Sequence, residues 1–354
     1  MKILFVGGGT GGPNAPLVAV AEYVKKIQPQ AQLVFISDGK VPAKKMFARF
    51  NSPHYTIPAG KWRRYASLQN FIDIFKVIGG IVVCFFVLVR SKPNVVFSAG
   101  SYVSLPVGFV AKLLGIPLVI HQQDIIVART NKILSSLAAK ITISIDSSKQ
   151  QFSTRVQDKI VAIGNPVRQD ILRGNGSFAR KFFKIDSNLP IILVLGGGTG
   201  AQAINEAIEK VLPALVEMAN VIHITGPGKS TKIREITGYK QFEYLQNEMP
   251  HALALADVVV SRAGFSAITE FSALNKPVVL IPLPDSPQEQ NAIYLEEKRA
   301  AVVLSQNNMQ EKLLPTIGEL LKDNAKLQEL GENIGKIMPK DAAENVGEIL
   351  LKLT

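Results

Sequence analysis

Short apolar runs alternate with stretches of helical periodicity along most of the chain. In the first half the runs fall at residues 3–6, 32–37, 95–98, 117–121 and 140–145. In the second they fall at 191–195, 221–225, 258–261, 278–281 and 302–304. Each is continuous rather than alternating and mostly β-branched, the pattern of a strand covered on both faces. Helical patterns lie between them at 17–26, 103–114, 202–215 and 266–274. This β-α-β rhythm predicts parallel, doubly wound sheets of the α/β class.

The rhythm starts twice. Leu4-Phe5-Val6-Gly7-Gly8-Gly9-Thr10-Gly11-Gly12 opens the first half, and Leu193-Val194-Leu195-Gly196-Gly197-Gly198-Thr199-Gly200-Ala201 opens the second. Each is a strand, a glycine turn and a helix, so two Rossmann-like domains in tandem are expected. The length of 354 residues agrees, at about 150 residues per domain. Gly164-Asn165-Pro166-Val167-Arg168, where a proline restricts the residue before it, marks the boundary. The expected division is 1–164, 165–340 and a last segment 341–354, helical at 342–352. That helix has either domain as its packing surface, a return to the N-terminal one among them.

Composition narrows the class. With 47% hydrophobic and 19% charged residues, a disordered chain, a collagen-like rod and a coiled coil are excluded. Forty Lys and Arg against 28 Asp and Glu give +12, which favours an anionic partner. The single cysteine, Cys84, excludes a disulfide framework and a cysteine-built zinc site. His54, His121, His223 and His251 stand at no metal-motif spacing, so no metal is expected. The opening from Met1 to Gly7 reads as a strand entering a turn rather than a signal peptide, which predicts cytoplasmic residence.

A glycine-rich turn between strand and helix lets a ligand approach the backbone, and the helix dipole favours an anion there. Gly7, Gly9 and Gly12 satisfy GxGxxG, and Gly196, Gly198 and Ala201 its GxGxxA variant. Tight packing of helix on strand is the other reading of such glycines. No Gly-Lys-Ser/Thr follows, which excludes a P-loop NTPase. A dinucleotide site wants a carboxylate about 20 positions on. Asp38 stands in roughly that place for the first turn, whereas the second strand ends in Thr225-Gly226. An NAD(P)-dependent oxidoreductase is therefore one reading of the first turn.

Longer blocks point elsewhere. Gly8-Gly9-Thr10-Gly11-Gly12 with Pro16-Leu17 and Ala19-Val20-Ala21 resembles the opening of the MurG family of peptidoglycan N-acetylglucosaminyltransferases. Further blocks match in order: Gly100-Ser101-Tyr102-Val103-Ser104-Leu105-Pro106, Gly115-Ile116-Pro117 with His121, and Gly164-Asn165-Pro166-Val167-Arg168. Ser261-Arg262-Ala263-Gly264 with Glu270, then Gln288-Glu289-Gln290-Asn291-Ala292, complete the series. The resemblance implies a GT-B glycosyltransferase, two Rossmann-like domains facing across a cleft. It implies metal-independent, inverting transfer from UDP-N-acetylglucosamine to a polyprenyl-diphosphate-linked acceptor, lipid I to lipid II, with no cofactor.

Roles follow from the same resemblance. A departing UDP develops charge, for which Gly197, Gly198, Thr199, Gly200 and Arg168 are placed. Glu270 resembles the carboxylate on the uridine ribose, and Gln288 and Asn291 are similar to readers of the sugar hydroxyls. Tyr244, Leu245 and Met249 match a segment framing the uracil. Asn205, Arg262, Gly264 and Ser266 are also expected at the donor, and Thr10, Gly11, Gly12, Asn14 and Gln122 at the acceptor. Where the family has histidine after the first Gly-Gly and glutamate after His121, this chain has Pro13 and Gln122. Gly198-Thr199 replaces Ser-Gln, and Ala267 a common hydroxyl residue. Inverting transfer needs a base, and Asp124 and His121 are the remaining candidates. A homologue that binds nucleotide or lipid without transfer is the alternative.

The run from Val77 to Val89, broken only by Gly79-Gly80, is short of the roughly 20 apolar residues that span a bilayer. It reads either as a core helix or as a helix with one side on the core and another in a membrane surface. Phe75, Val82, Phe85, Phe86 and nearby Trp62, with Lys61, Arg63 and Arg64, suit an anionic surface. Attachment to the cytoplasmic face of the membrane is expected; no nucleic-acid module is present.

Overall fold

The computed structural model describes residues 1–9, 11–58, 60, 68–230 and 236–354. The chain divides into two compact units, Met1–Arg168 with Pro339–Thr354, and Gln169–Met338.

The first unit holds strands β1 (Lys2–Val6), β2 (Gln32–Ser37), β3 (His54–Thr56), β4 (Val95–Ser98), β5 (Leu118–Gln122), β6 (Lys140–Ile143) and β7 (Ile160–Ala162). They form one sheet in the order β3-β2-β1-β4-β5-β6-β7, every pairing parallel. Its helices are α1 (Ala15–Ile27), α2 (Val41–Ala48), α3 (Leu68–Ser91), α4 (Ser104–Leu113) and α5 (Arg129–Leu134). Successive side chains of β1 feed opposite faces: Ile3 and Phe5 pack in one apolar core, Leu4 and Val6 in the other. Burial on both faces explains why these strands lack an alternating pattern.

The second unit begins with α6 (Gly176–Phe183) and is built on β8 (Ile191–Leu195), β9 (Asn220–Ile224), β10 (Tyr239–Phe242), β11 (Val258–Ser261), β12 (Val278–Leu280) and β13 (Val302–Val303). Their order is β10-β9-β8-β11-β12-β13, again all parallel. Around them lie α7 (Gln202–Met218), α8 (Met249–Leu255), α9 (Phe265–Ala273), α10 (Gln288–Glu297), α11 (Met309–Lys322) and α12 (Asn324–Gly335). All ten strands expected from apolar runs are present; β3, β7 and β10 are additional.

The last helix, α13 (Ala342–Lys352), belongs to the first unit. A Cβ on Gly347 would stand 2.3 Å from the Tyr23 ring of α1, so glycine permits the contact. Tyr23 Oη donates to Glu348 Oε1 at 3.3 Å, and Val346 and Leu350 join the core with Phe5. The turn at residues 164–167 also lies within the first unit. Gly164, at φ 81°, packs against Pro339, and Asn165 hydrogen-bonds His121.

Candidate active site

Strand order reverses beside β1 in the first sheet and beside β8 in the second. Ligands of open parallel sheets bind outside the carboxyl ends of the strands at such switch points. The glycine turns follow β1 and β8, and the loops after the neighbouring strands, β4 and β11, stand next to them.

In the second unit the glycines separate by purpose. A Cβ on Gly200 would fall 2.0 Å from the Thr225 carbonyl oxygen, and one on Gly196 would fall 2.2 Å from Ala201 N. Packing alone requires those two. Gly197, at φ 79°, would meet no atom within 4 Å. Gly198 and Thr199 are exposed. Lys229 Nζ donates to the carbonyls of Thr199 (2.9 Å) and Gly200 (3.1 Å), setting a cation at the turn. Lys229 escaped the sequence reading; its only signal is the Gly226-Pro227-Gly228 loop just before it.

Gly264 stands beside open space. It begins α9 at φ −75°, which any residue adopts, and its Cβ would meet nothing within 4 Å. Neither backbone nor packing demands glycine, and the helix N-terminus it opens carries no side-chain cap. Ser266 and Glu270, half-buried and four residues apart, share the adjoining face of that helix. Gln288 accepts from Leu283 N at 3.0 Å through Oε1, and its Nε2 makes no hydrogen bond among the described residues. Tyr244 is exposed, Leu245 buried, and Met249 half-buried at the start of α8.

Several residues expected at ligands make hydrogen bonds within their own unit. Asn205 is buried, donating to the Thr225 (3.0 Å) and Lys229 (3.1 Å) carbonyls, while its Oδ1 meets His223 Nε2. Arg262 is buried, its guanidinium spent on the carbonyls of Ile281 and Pro282 and on Gln306 Oε1 at 2.6 Å. Asn291 is fully buried and donates to the Ala263 carbonyl at 3.0 Å. In all three the amide or guanidinium satisfies backbone oxygens of nearby loops.

The first unit repeats the lesson. Asn14 is buried beneath the first turn, where a Cβ on Gly7 would strike its Oδ1 at 2.3 Å. His121 is fully buried, Nδ1 at 2.9 Å from Thr142 Oγ1 and Nε2 at 2.8 Å from Asn165 Oδ1. Burial pushes its pKa down to about 4, against a smaller opposing effect of the Asn165 hydrogen bond. A neutral ring with both nitrogens engaged inside the core is out of reach as a base. Gln122 donates to the carbonyls of Asp124 (2.7 Å) and Ile126 (3.1 Å) and accepts from Ala128 N and Asn131 Nδ2. A glutamate there would set carboxylate oxygen against two carbonyls, which explains the amide. Pro13 lies in a 3-10 turn, Gly12–Asn14, at a position where a missing N–H costs nothing.

Gly11 would meet no atom within 4 Å, and Gly11 and Gly12 are half-buried. Asp124 is half-buried in the loop that Gln122 orders, and Arg168 is half-buried at the end of the first unit's main segment. Asp38 is engaged by its own chain, accepting from Gly9 N, Lys40 and Tyr102, so it is not poised for a ribose. Thr10, Trp62 and the Phe75 side chain lie outside the described residues. On α3, Val82, Phe85 and Phe86 are exposed with Ile78 and Val89, while Cys84, Val87 and Leu88 enter the core. Phe109 and Leu113 are exposed on α4, which packs against α3. Among the described residues no helix is long and apolar enough to cross a membrane.

Two all-parallel, doubly wound units with glycine turns at their switch points define a tandem Rossmann-like α/β protein. The family models for the Glycosyltransferase family 28 N-terminal and C-terminal domains match residues 3–143 and 191–346. The chain belongs to glycosyltransferase family 28. It is 37% identical over 330 residues to a protein of Geobacillus thermodenitrificans, covering 91% of each chain. It is 36% identical over 318 residues to one of Clostridium kluyveri, covering 88% of this chain and 89% of that one. Both relatives are named UDP-N-acetylglucosamine–N-acetylmuramyl-(pentapeptide) pyrophosphoryl-undecaprenol N-acetylglucosamine transferase. The fold is also that of Acinetobacter baumannii MurG, with TM-score 0.73 and 23% identity over 99% of each chain. A UDP-GlcNAc 2-epimerase of Neisseria meningitidis, solved with UDP-GlcNAc bound, shares it at TM-score 0.73 and 16% identity, over 99% of this chain and all of that one.

Proposed function

We propose that the protein transfers N-acetylglucosamine from UDP-N-acetylglucosamine to undecaprenyl-diphosphate-linked N-acetylmuramoyl-pentapeptide, converting lipid I to lipid II in peptidoglycan synthesis. The full-length likeness to relatives so named supports this reading. The single structural observation that carries it is the open N-terminus of α9 at Gly264, beside the turn at residues 196–200. There the diphosphate takes up helix dipole and backbone amides. Glu270 accepts from the ribose hydroxyls with Ser266 beside it, and Tyr244, Leu245 and Met249 frame the uracil. Gln288 reads the sugar through its Nε2.

In the transfer step the acceptor hydroxyl oxygen attacks the anomeric carbon from the face opposite UDP. The bond to the UDP oxygen breaks, its electron pair leaves with UDP, and the hydroxyl proton passes to the base. With His121 held in the core, Asp124 is assigned that role. Gln122 orders its loop and Pro13 fits its turn, which favours a working enzyme over a homologue that only binds.

The exposed apolar side chains of α3 and α4, with Arg90, Lys92 and Lys112 exposed near them, suit the surface of an anionic membrane. A polyprenyl-linked acceptor is met there, which makes the protein peripheral to the cytoplasmic face. The test is thermal melting with UDP and UDP-N-acetylglucosamine. Stabilisation at millimolar concentration supports the donor site, and an unchanged melting temperature with both overturns it.

A further inference from the structure

The turn at residues 196–200 meets a second loop of its own unit, Gly226-Pro227-Gly228-Lys229, which follows β9. The two approach backbone to backbone. A Cβ on Gly226 would stand 2.4 Å from Gly200 Cα and 2.7 Å from the Thr199 carbonyl oxygen. One side chain of the loop reaches the turn as a cation: Lys229 Nζ donates to the carbonyls of Thr199 at 2.9 Å and Gly200 at 3.1 Å.

Lys229 is anchored at its own backbone. Its N–H donates to the Gly226 carbonyl at 3.1 Å, and its carbonyl accepts from Asn205 Nδ2 at 3.1 Å. The same amide donates to the Thr225 carbonyl at 3.0 Å, and Asn205 is buried on α7, the helix that the turn begins. No carboxylate pairs with Lys229 among the described residues. Glu243 closes the same loop instead, accepting from Gly228 N at 3.2 Å and from Ser230 Oγ at 2.9 Å.

The two carbonyls belong to the peptides Thr199–Gly200 and Gly200–Ala201. The first peptide has its N–H on the Gly197 carbonyl at 3.0 Å, which closes the turn. The second carries the Ala201 N–H, which has no acceptor among the described residues. A cation at the oxygen end of a peptide polarises it and strengthens its N–H as a donor. The ammonium also adds a full charge to the partial positive charge at the start of α7.

We infer that Lys229 is a positioning residue for the nucleotide sugar. It fixes the glycine turn by its carbonyls and supplies, inside the second unit, the positive charge that a diphosphate needs there. The inference rests on the donor reading above. Lys229 acts through the turn and touches no ligand in this role.

The test is a ligand-observed magnetic resonance titration with UDP and with uridine, on the parent, Lys229→Gln, Lys229→Met and Lys229→Arg. Glutamine keeps donors for the carbonyls and removes the charge, which protects the fold; methionine removes both. A folded neutral variant should bind UDP about tenfold more weakly and uridine within about twofold of the parent. Its UDP affinity should also depend less on salt. Lys229→Arg, which restores the charge, should bind UDP within about threefold of the parent. A folded neutral variant that binds UDP like the parent overturns the inference. So does one that loses uridine as much as UDP, since a purely structural lysine would weaken both alike. A parent that binds no UDP contradicts the donor reading itself, whereas equal UDP binding by parent and neutral variants removes only the role of Lys229.

Discussion

Asn291 Nδ2 donates to the Ala263 carbonyl over 3.0 Å, tying the helix that carries Gln288 to the turn that opens α9. The bond lies wholly inside the second unit, with Asn291 fully buried. Asn291→Ala leaves a buried carbonyl unsatisfied, at about 1–3 kcal/mol. The account expects a lower melting temperature and a raised KM for the nucleotide sugar, with a smaller change in kcat. Unchanged KM in a folded variant would separate the two loops functionally.

Gly200 and Gly264 give opposite outcomes for one substitution. Gly200→Ala drives a methyl group to 2.0 Å from the Thr225 oxygen at φ 71°, costing roughly 3 kcal/mol or more from strain and overpacking. Gly264→Ala meets nothing and suits φ −75°. It should melt like the parent and lose most UDP affinity, as read by calorimetry. If Gly264→Ala binds UDP normally, the space above α9 holds no ligand.

Acid should weaken the fold through two buried histidines. Burial brings both His121 and His223 from the ordinary 6.5 down to about 4. His223 is enclosed by Asn205 and Tyr239, as His121 is by Thr142 and Asn165. The unfolded chain takes up their protons first, so stability is full above pH 6.5 and is lost progressively as pH falls through about 4. Each group contributes about 3 kcal/mol over that window. Urea midpoints between pH 7 and pH 5 should fall steeply. A flat profile would contradict the buried, neutral state of both rings.

Membrane contact is tested at the exposed face of α3. Phe86→Asp together with Val82→Asp removes apolar surface that touches little of the protein, so melting should barely change. Partition onto vesicles containing anionic lipid should drop about tenfold or more. Equal partition of variant and parent would place the contact elsewhere.

Most strands legible in the sequence were those buried on both faces. The three that escaped, at His54–Thr56, Ile160–Ala162 and Tyr239–Phe242, lie at sheet edges. The fourth edge strand, β13, was read from its apolar run, whereas β3 and β10 carry polar residues and β7 is only three residues long. The site was legible less evenly. Gly264, Glu270 and Gln288 stand where a ligand can reach them. Gln122, Asn205, Arg262 and Asn291 are turned onto backbone oxygens, and Asn14 is buried. A motif records that a polar residue is needed beside a loop; it does not record whether that residue faces the ligand or holds the loop. Burial distinguishes the two, and only coordinates provide it.

The most direct measurement follows labelled N-acetylglucosamine from UDP-N-acetylglucosamine into a lipid I analogue, with the parent protein and with Asp124→Asn. The account predicts a lipid-linked product with inverted configuration from the parent, and a loss of kcat without loss of UDP binding in the variant. Tight donor binding by the parent with no labelled lipid would contradict the claim that this chain is a working transferase.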